Sequence, residues 1–386
     1  MAAFFFALSI SSAIYYINVI ITAVPAKTET LNIGGTAMPV ADKSCFSKDH
    51  ISRHRLNASH ELAEQAVHCL ELVAELSLGG LSYQFKGGNS LLLILSEPKR
   101  FSIDVDVASD RTREEIEQVL DAIVPKYGVF TRWERRQHKT KPWLPLSSYY
   151  LYYNSVVTDA PDTNIMLDVQ MRRSAYKTEF KPVRCGDLYV SDAKVELPLP
   201  SSIISDKLLT LGPATLGIPI GRGKEAQRLK HVYDVSRLSA TLPDVGEMRE
   251  SFRSCLKQEN DLQETDHSVD GIVKDTLKFL WTTALHGEQP QSSDDPALSE
   301  NIKGLAPFAA HLFEQGYGWT NLRRDMARAA VCMSAAGNEK VAGEDFRKLL
   351  STPAPADFKG TLGIDDPTAA YLWEGVRDWW GGGFWI

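Results

Sequence analysis

The pattern of apolar and polar positions predicts helices in some stretches of the chain and strands in others. Over residues 56–78, apolar side chains recur at helical spacing with glutamates at other positions, which predicts an amphipathic helix ending at Gly79-Gly80. The capping box Thr112-x-x-Glu115 begins a second predicted helix over residues 113–127. Strands are predicted by alternation or β-rich composition over residues 103–107, 147–157 and 164–171.

Beyond Pro200 helical spacing prevails. A helix that begins at Ser205 places Lys207 in its first turn, and residues 259–300 are polar and acidic, which predicts a flexible insertion. We therefore predict an α+β fold with a mixed β-sheet flanked by helices, followed by a mostly α-helical C-terminal domain. The predicted boundaries are an apolar extension at 1–37, a sheet domain at 38–198 and a helical domain at 199–386.

Composition and charge narrow the possible partners. The 386 residues carry a formal charge of −7, of which residues 1–258 contribute +2 and residues 259–386 contribute −9. The first two-thirds of the chain therefore remains compatible with a polyanionic partner. The five cysteines are scattered and form no C-x-x-C pair, which favours reduced thiols and a cytoplasmic protein and argues against a zinc site.

The N-terminal stretch is uncharged, and residues 4–24 are apolar enough to cross a bilayer. It lacks the basic segment that precedes the apolar core of a secretory signal. Our preferred interpretation is a natural start at Met38 and a cytoplasmic protein. The alternatives are a membrane anchor through residues 4–24 and an export signal.

The candidate chemistry is concentrated between Phe85 and Val107. Asp104 and Asp106 alternate with apolar residues, so both point to one face of a strand, where two carboxylates need a shared cation or proton. Upstream, the turn Gly87-Gly88-Asn89-Ser90 opens a short predicted helix, and a glycine turn at a helix N-terminus suits an anion. A phosphate cradle beside a carboxylate pair is what phosphoryl or nucleotidyl transfer requires.

Three further features extend this candidate site. Asp168 lies inside an otherwise apolar strand, where a buried carboxylate requires a metal or a cation. Residues 129–141 combine five cations with a tryptophan, a composition that is usual for a solvated face and also occurs in nucleic-acid tracks. Helical spacing places Lys230, His231 and Asp234 on one helix face.

The turn followed by an Asp-x-Asp strand resembles the DNA polymerase β-like nucleotidyltransferase superfamily. The wording Phe-Lys-Gly-Gly-x-Ser-Leu and Arg-Phe-Ser-x-Asp-x-Asp is more narrowly similar to the AbiEii/AbiGii toxin family. Its later motifs are matched by Lys207-Leu208, by Arg222 or Arg228, and by Tyr233-Asp234-Val235, although His231 stands where the family usually has aspartate. The resemblance covers roughly residues 48–240, with the motifs in order.

This resemblance implies a metal-dependent nucleotidyltransferase whose catalytic domain is residues 38–198. Asp104, Asp106 and Asp168 would bind Mg²⁺ (or Mn²⁺), and Asp234 would orient Lys207. The NTP would be held by a set of polar and glycine residues: Lys86, Gly87, Gly88, Asn89, Ser90, Lys207, Arg222 and Arg228. The implied acceptor is an RNA end such as tRNA, and the implied role is that of the toxin in a toxin–antitoxin or abortive-infection system, with an antitoxin protein as partner.

Two alternatives remain open from the residues. An Asp-x-Asp glycosyltransferase would use a nucleotide sugar and would not need the glycine turn. A non-catalytic nucleotide or RNA sensor on the same fold could lose some of the carboxylates, and this chain retains all three.

Overall fold

The computed structural model describes residues 38–136 and 145–381 of the chain. These residues form two compact units. The sheet unit contains the described residues up to Ser174 together with Thr178–Pro198, and the helical unit contains Ala175–Lys177 and the chain from Leu199 onward. The predicted extension at 1–37, with its apolar stretch 4–24, lies outside the described residues, as do Lys139 and Lys141 of the basic stretch.

The sheet unit is built on a seven-stranded mixed sheet in the order β3-β4-β5-β2-β1-β7-β6. β2 runs parallel to β5 and antiparallel to β1, while β1 runs parallel to β7. The remaining neighbours pair antiparallel. The strands are β1 Gln84–Lys86, β2 Asp104–Ala108, β3 Arg132–Arg136, β4 Leu146–Tyr153, β5 Thr163–Gln170, β6 Thr178–Cys185 and β7 Tyr189–Pro198.

Helices cover the apolar face of this sheet. They are α1 Lys48–His54, α2 His60–Leu78, α3 Gly87–Ile94 and α4 Arg113–Tyr127, after a short 3-10 helix at Lys43–Phe46. Helix α2 contacts β2, β5 and β7, and the capping box predicted for α4 is present. Val105 and Leu167 pair on this face and are fully buried. Apolar burial of this kind is the main force that holds helices on a sheet.

Three of the four glutamates of α2, Glu64, Glu71 and Glu75, are buried, which differs from the amphipathic helix predicted there. Glu64 accepts hydrogen bonds from Ser155 Oγ and the Val156 amide, both at 2.6 Å. Glu71 accepts hydrogen bonds from the Val40 and Ala41 amides and from the Tyr189 hydroxyl. Other segments therefore fold over the polar side of the helix and supply hydrogen bonds to Glu64 and Glu71.

The helical unit contains eight α-helices among the described residues. They are α5 Pro200–Leu209, α6 Glu225–Ser239, α7 Val245–Gln263, α8 Val269–Trp281, α9 Pro296–Ala309, α10 Trp319–Gly337, α11 Gly343–Ser351 and α12 Pro367–Trp379. The predicted α+β fold, with a mixed sheet followed by helices, is confirmed.

Two details of the helical unit correct the sequence-based predictions. Helix α5 begins at Pro200, since proline is favoured in the first turn, and this earlier start places Lys207 in the last turn instead of the first. The predicted flexible insertion at 259–300 contains helix α8, whose residues Ile272, Val273 and Leu277 are buried. Their helical spacing gives this acidic stretch an apolar face, and the helix packs through it.

Two further observations concern the cysteines and the hydrophobicity of the helices. All five cysteines are free and buried. Within residues 38–136 and 145–381, none of the helices combines the length and the apolar character that a bilayer span requires.

Candidate active site

Three carboxylates lie side by side on the face of the sheet opposite helix α2. In the parallel pairing of β2 with β5, Asp106 lies directly opposite Asp168, and Asp104 lies two residues before Asp106 on the same face. All three residues are buried: Asp104 and Asp106 are each 6% exposed, and Asp168 is 1% exposed. Residues far apart in the chain are thereby brought together by strand register.

A row of polar and charged residues crosses five strands at this level. From Asp168 the row continues on one side through Ser148 on β4 to Arg136 on β3. On the other side it passes through Asp106 to Lys86 on β1. Directly opposed residues in a sheet share a face, so the carboxylates are flanked by a cation at each end.

The Asp168 carboxylate is held in an unfavourable environment. Its Oδ1 accepts a hydrogen bond from the Ser148 hydroxyl, while Oδ2 is buried without a hydrogen-bond partner. Burial is the largest cause that raises the pKa of Asp168 well above its usual range, and the charges of Asp106 and Asp104 raise it further. Ser148 and Arg136 oppose that rise. A cation at this position would relieve both the repulsion and the unsatisfied oxygen.

Gly87 is required by the approach of the turn to Asp106. Its φ is +72°, and a Cβ built at this position would overlap with the Asp106 carboxylate. Helix α3 begins at this same glycine, so its first amide groups are unsatisfied by the helix and lie beside the carboxylates. The turn predicted from sequence therefore lies next to the carboxylates, and its role in binding an anion stays a prediction.

The polar side chains around the turn make contacts that position the elements. Lys86 Nζ donates to Gln170 Oε1 at 2.8 Å, and Ser90 Oγ donates to the Gly87 carbonyl at 2.8 Å. Asn89 donates to the Asp104 carbonyl at 2.9 Å and accepts from the Ser102 amide at 3.0 Å. These side chains were predicted to contact the nucleotide, whereas the structure shows them joining α3 to β2 and β1 to β5.

Arg100 and Ser148 were not among the predicted site residues. Arg100 is buried, and its Nη1 lies 3.1 Å from the position that a Cβ on Gly88 would occupy. Ser148 reaches Asp168 through the pairing of β4 with β5. Arg100 begins the motif Arg-Phe-Ser-x-Asp-x-Asp that resembles the family, and this motif could have identified it. No local signal identifies Ser148, because its proximity depends on strand register.

Lys207 and Asp234 form a buried ion pair within the helical unit. Lys207 Nζ lies 2.8 Å from Asp234 Oδ2, and the two side chains are 9% and 1% exposed. The pair joins α5 to α6. The sequence-based prediction that Asp234 orients Lys207 matches this contact, while the role of Lys207 at a nucleotide stays a prediction.

The two predicted arginines differ in position. Arg228 is buried, pairs with Glu300 and donates to the Ile218 carbonyl at 2.5 Å, so its guanidinium fastens α6 to α9 and to the preceding loop. This position is at odds with the predicted contact to nucleotide, since the guanidinium is enclosed by protein. Arg222 is exposed in the loop before α6 and keeps its predicted role as a hypothesis.

The donor chemistry at the three carboxylates fits a hard divalent cation. Carboxylate oxygens are the ligands that Mg²⁺ takes in proteins, and Asp168 Oδ2 is available. In the part of the chain that the structure describes, no three His, Cys, Asp or Glu side chains already surround a point suited to a metal ion. To surround an ion, these carboxylates would have to turn from their present orientations. For Asp168 this includes a change in the hydrogen bond that it accepts from Ser148.

A family profile described as "Nucleotidyl transferase AbiEii toxin, Type IV TA system" matches residues 71–315, well over half of the chain. The chain belongs to this family. It is therefore a nucleotidyltransferase, and the family's toxins act in type IV toxin–antitoxin systems. The match spans Asp104, Asp106 and Asp168 of the sheet unit and Lys207 and Asp234 of the helical unit.

Other comparisons add little to this assignment. A solved structure, an antigenic nucleotidyltransferase-like protein from Paracoccidioides brasiliensis, is similar with a TM-score of 0.33 and 14% sequence identity. The similarity covers 52% of this chain and 91% of that chain. Comparison with curated proteins finds no match.

Proposed function

We propose that this AbiEii-family protein transfers a nucleoside monophosphate from an NTP to an RNA hydroxyl in a reaction that depends on a divalent metal. The observation that carries the proposal is the register of β2 on β5, which sets Asp106 beside Asp168 with one carboxylate oxygen buried and unpaired. The family resemblance favours a tRNA end as acceptor, an antitoxin protein as partner and the cytoplasm as compartment.

The three carboxylates have separate roles in this proposal. Asp104 and Asp106 hold Mg²⁺ or Mn²⁺, which when bound polarises the α-phosphate and offsets charge on the leaving pyrophosphate. Asp168 would share in holding the ion and would help to activate the acceptor hydroxyl, because burial and the neighbouring carboxylates raise its pKa and make the ionised carboxylate a stronger base. The alternation on β2 and the register of β5 put all three side chains on one face of the sheet, which supports their joint role.

The glycine turn receives the triphosphate. The absence of a side chain at Gly87 leaves the first amides of α3 open beside Asp106, and these amides bind phosphate oxygens. Asn89 holds the turn against the start of β2 through two hydrogen bonds. Lys207 keeps its predicted role as the cation for the triphosphate, with Asp234 fixing the orientation of its ammonium group.

The test is labelling of RNA by the full-length protein. Purified protein is incubated with each α-labelled NTP, Mg²⁺ and total RNA, and transfer is followed on gels. Asp104→Asn should abolish labelling, because one ion-binding carboxylate is lost. Asp110→Asn is the matched control, since Asp110 is exposed just beyond the same strand. This variant should label RNA as the wild type does.

Three results would contradict the proposal. Labelling that persists in both Asp104→Asn and Asp168→Asn would place the active site elsewhere. Nucleotide binding without turnover by the wild type would indicate a sensor. Turnover of a UDP-sugar without labelled RNA would indicate a glycosyltransferase.

A further inference from the structure

A second charged site lies in the helical unit, in a cavity of about 370 Å³ bounded by α6, α10 and the start of α12. Three arginines line it: Arg237, Arg324 and Arg328. Asp325, Ser236 and Thr368 also line it. We call this the arginine cavity. Its volume is within the range of small-ligand sites.

The carboxylates near the arginine cavity are already used. Asp325 pairs with Arg237 and accepts hydrogen bonds from the Ser236 and Tyr317 hydroxyls at 2.6 and 2.8 Å. Asp366 accepts three hydrogen bonds from Arg324, at 3.2, 3.0 and 2.7 Å. Arg237 and Arg324 are thus each in direct contact with a carboxylate, and Arg328 is the arginine of the cavity for which the described residues show no direct ion pair.

Arg328 is the cation of this cavity that is most open to a further partner. Among the residues that the structure describes, it has neither a hydrogen bond nor an ion pair, although it is half-buried on α10. Burial and the neighbouring charge of Arg237 lower the pKa of Arg328, while the charge of Asp325 raises it. In addition, Arg237 Nε is buried without a partner. A half-buried guanidinium without a direct ion pair, in a cavity with a further unused donor, favours an anionic ligand.

We propose that the arginine cavity binds a phosphate group. Guanidinium groups match phosphate oxygens in geometry, and the Ser236 and Thr368 hydroxyls add donors of the kind found in phosphate sites. None of the lining residues that the structure describes is aromatic, so the cavity offers no surface on which a base would stack. Recognition is therefore of the phosphate and independent of the base. The phosphate can come from a free ion or nucleotide or from an RNA backbone.

The first test measures binding of inorganic phosphate to the full-length protein by calorimetry. EDTA is present throughout, so that metal-dependent binding at the carboxylates does not contribute. Arg328→Gln should weaken phosphate affinity about tenfold or more, since a charged hydrogen bond to the anion is lost. Arg328→Lys keeps the charge and should lose less. Arg347→Gln is the matched control, because Arg347 is exposed on α11, away from the cavity lining. This variant should bind phosphate as the wild type does.

A parallel arm uses a short single-stranded RNA to identify the source of the phosphate. RNA binding that is tighter than phosphate binding and is weakened by Arg328→Gln identifies an RNA backbone. Equal or weaker RNA binding identifies a free phosphate group.

The proposal is overturned if the wild type binds neither ligand, or if Arg328→Gln binds both as the wild type does. Circular dichroism checks folding, and if Arg328→Gln is unfolded, Arg324→Gln at the exposed rim serves instead, with the same expected loss. Because no transfer reaction is measured, failure here is distinct from failure of the proposed catalytic site.

Discussion

At the scale of single residues, the candidate site depends on the contact between Gly87 and Asp106. The glycine has a positive φ and has no room for a Cβ against the carboxylate. Local sequence indicates that a glycine turn precedes an acidic strand. It does not indicate that the two touch, because the contact follows from the antiparallel pairing of β1 with β2, in which Lys86 is opposite Asp106.

This contact predicts the effect of Gly87→Ala. We expect loss of folding stability of about 1 kcal/mol from the strained φ. We also expect transfer activity to fall about 100-fold, because the new methyl group displaces Asp106. Urea denaturation and RNA labelling measure the two effects.

Gly80→Ala provides the matched control. Gly80 has a φ of +83°, and nothing lies within 4 Å of the position that a Cβ would occupy, so the strain is similar and no carboxylate is displaced. Activity should stay near that of the wild type. Equal activity losses in both variants would show that the Asp106 contact does not matter.

At the scale of elements, more residues of helix α2 are buried than the apolar periodicity of its sequence indicates. His68 is buried in this helix and stacks on Tyr153 with ring centroids 3.6 Å apart. Its Nδ1 donates to the Glu64 carbonyl at 2.8 Å, which places a proton on Nδ1 and by itself raises the pKa of the ring. Burial lowers the pKa of His68 to about 4.

The buried histidine predicts a pH-dependent stability. In the unfolded chain the ring binds a proton near its ordinary pKa of 6.5, while the folded protein resists protonation down to about pH 4. Its contribution to stability is therefore complete above pH 6.5 and is lost as the pH falls toward 4, by about 3 kcal/mol. Urea denaturation at several pH values measures the profile.

The matched variants isolate the histidine from the buried glutamates of the same helix. His68→Phe keeps a stacking ring, and it should remove the part of the stability loss at low pH that comes from the histidine. His60→Gln, at the exposed start of α2, should leave the profile unchanged. An identical profile in His68→Phe and the wild type would contradict the prediction.

The ion pair between α5 and α6 predicts a second stability effect. Lys207→Met leaves Asp234 buried without its partner and should destabilise the protein by about 3–5 kcal/mol. The double variant Lys207→Met with Asp234→Leu should recover most of that loss, because neither charge remains. Denaturant unfolding measures both. If the double variant were as unstable as the single one, the pair would not account for the loss.

This pair also affects how activity is interpreted. A variant of Lys207 that fails to label RNA is informative only if it is folded. The double variant supplies that control, since it should be folded yet lack the lysine. Loss of labelling in the folded double variant would support the proposed role of Lys207 at the triphosphate.

At the scale of the whole molecule, metal binding should be linked to stability. If Asp104, Asp106 and Asp168 hold a divalent ion, Mg²⁺ or Mn²⁺ at about ten times its dissociation constant should stabilise the folded protein by about 1.4 kcal/mol. EDTA should remove this gain. Thermal unfolding with and without the ion measures it.

Asp168→Asn serves as the variant for this prediction. The amide can still accept the Ser148 hydrogen bond but carries no charge, so the repulsion with Asp106 is removed. In EDTA this variant should be at least as stable as the wild type, and it should gain little from the ion. Equal ion-dependent gains in both proteins would contradict a metal site at Asp168.

Much of the architecture follows from local sequence. The capping box at Thr112 begins α4 as predicted, and the strand periodicity on either side of Asp106 and Asp168 matches β2 and β5. The predicted class of enzyme and family are confirmed by the match over residues 71–315. These features depend on spacings of two or 3.6 residues and on short motifs, which are visible along the chain.

The sequence by itself determined which residues could form the elements and which carboxylates and glycines were suited to the chemistry. Tertiary structure alone decided that Asp168 lies opposite Asp106, that Arg228 is enclosed against Glu300, and that Arg328 faces the cavity without a direct ion pair among the described residues. The physical reason is that strand register and side-chain burial arise from packing between segments far apart in the chain. Local periodicity carries no information about which distant partner each residue will meet.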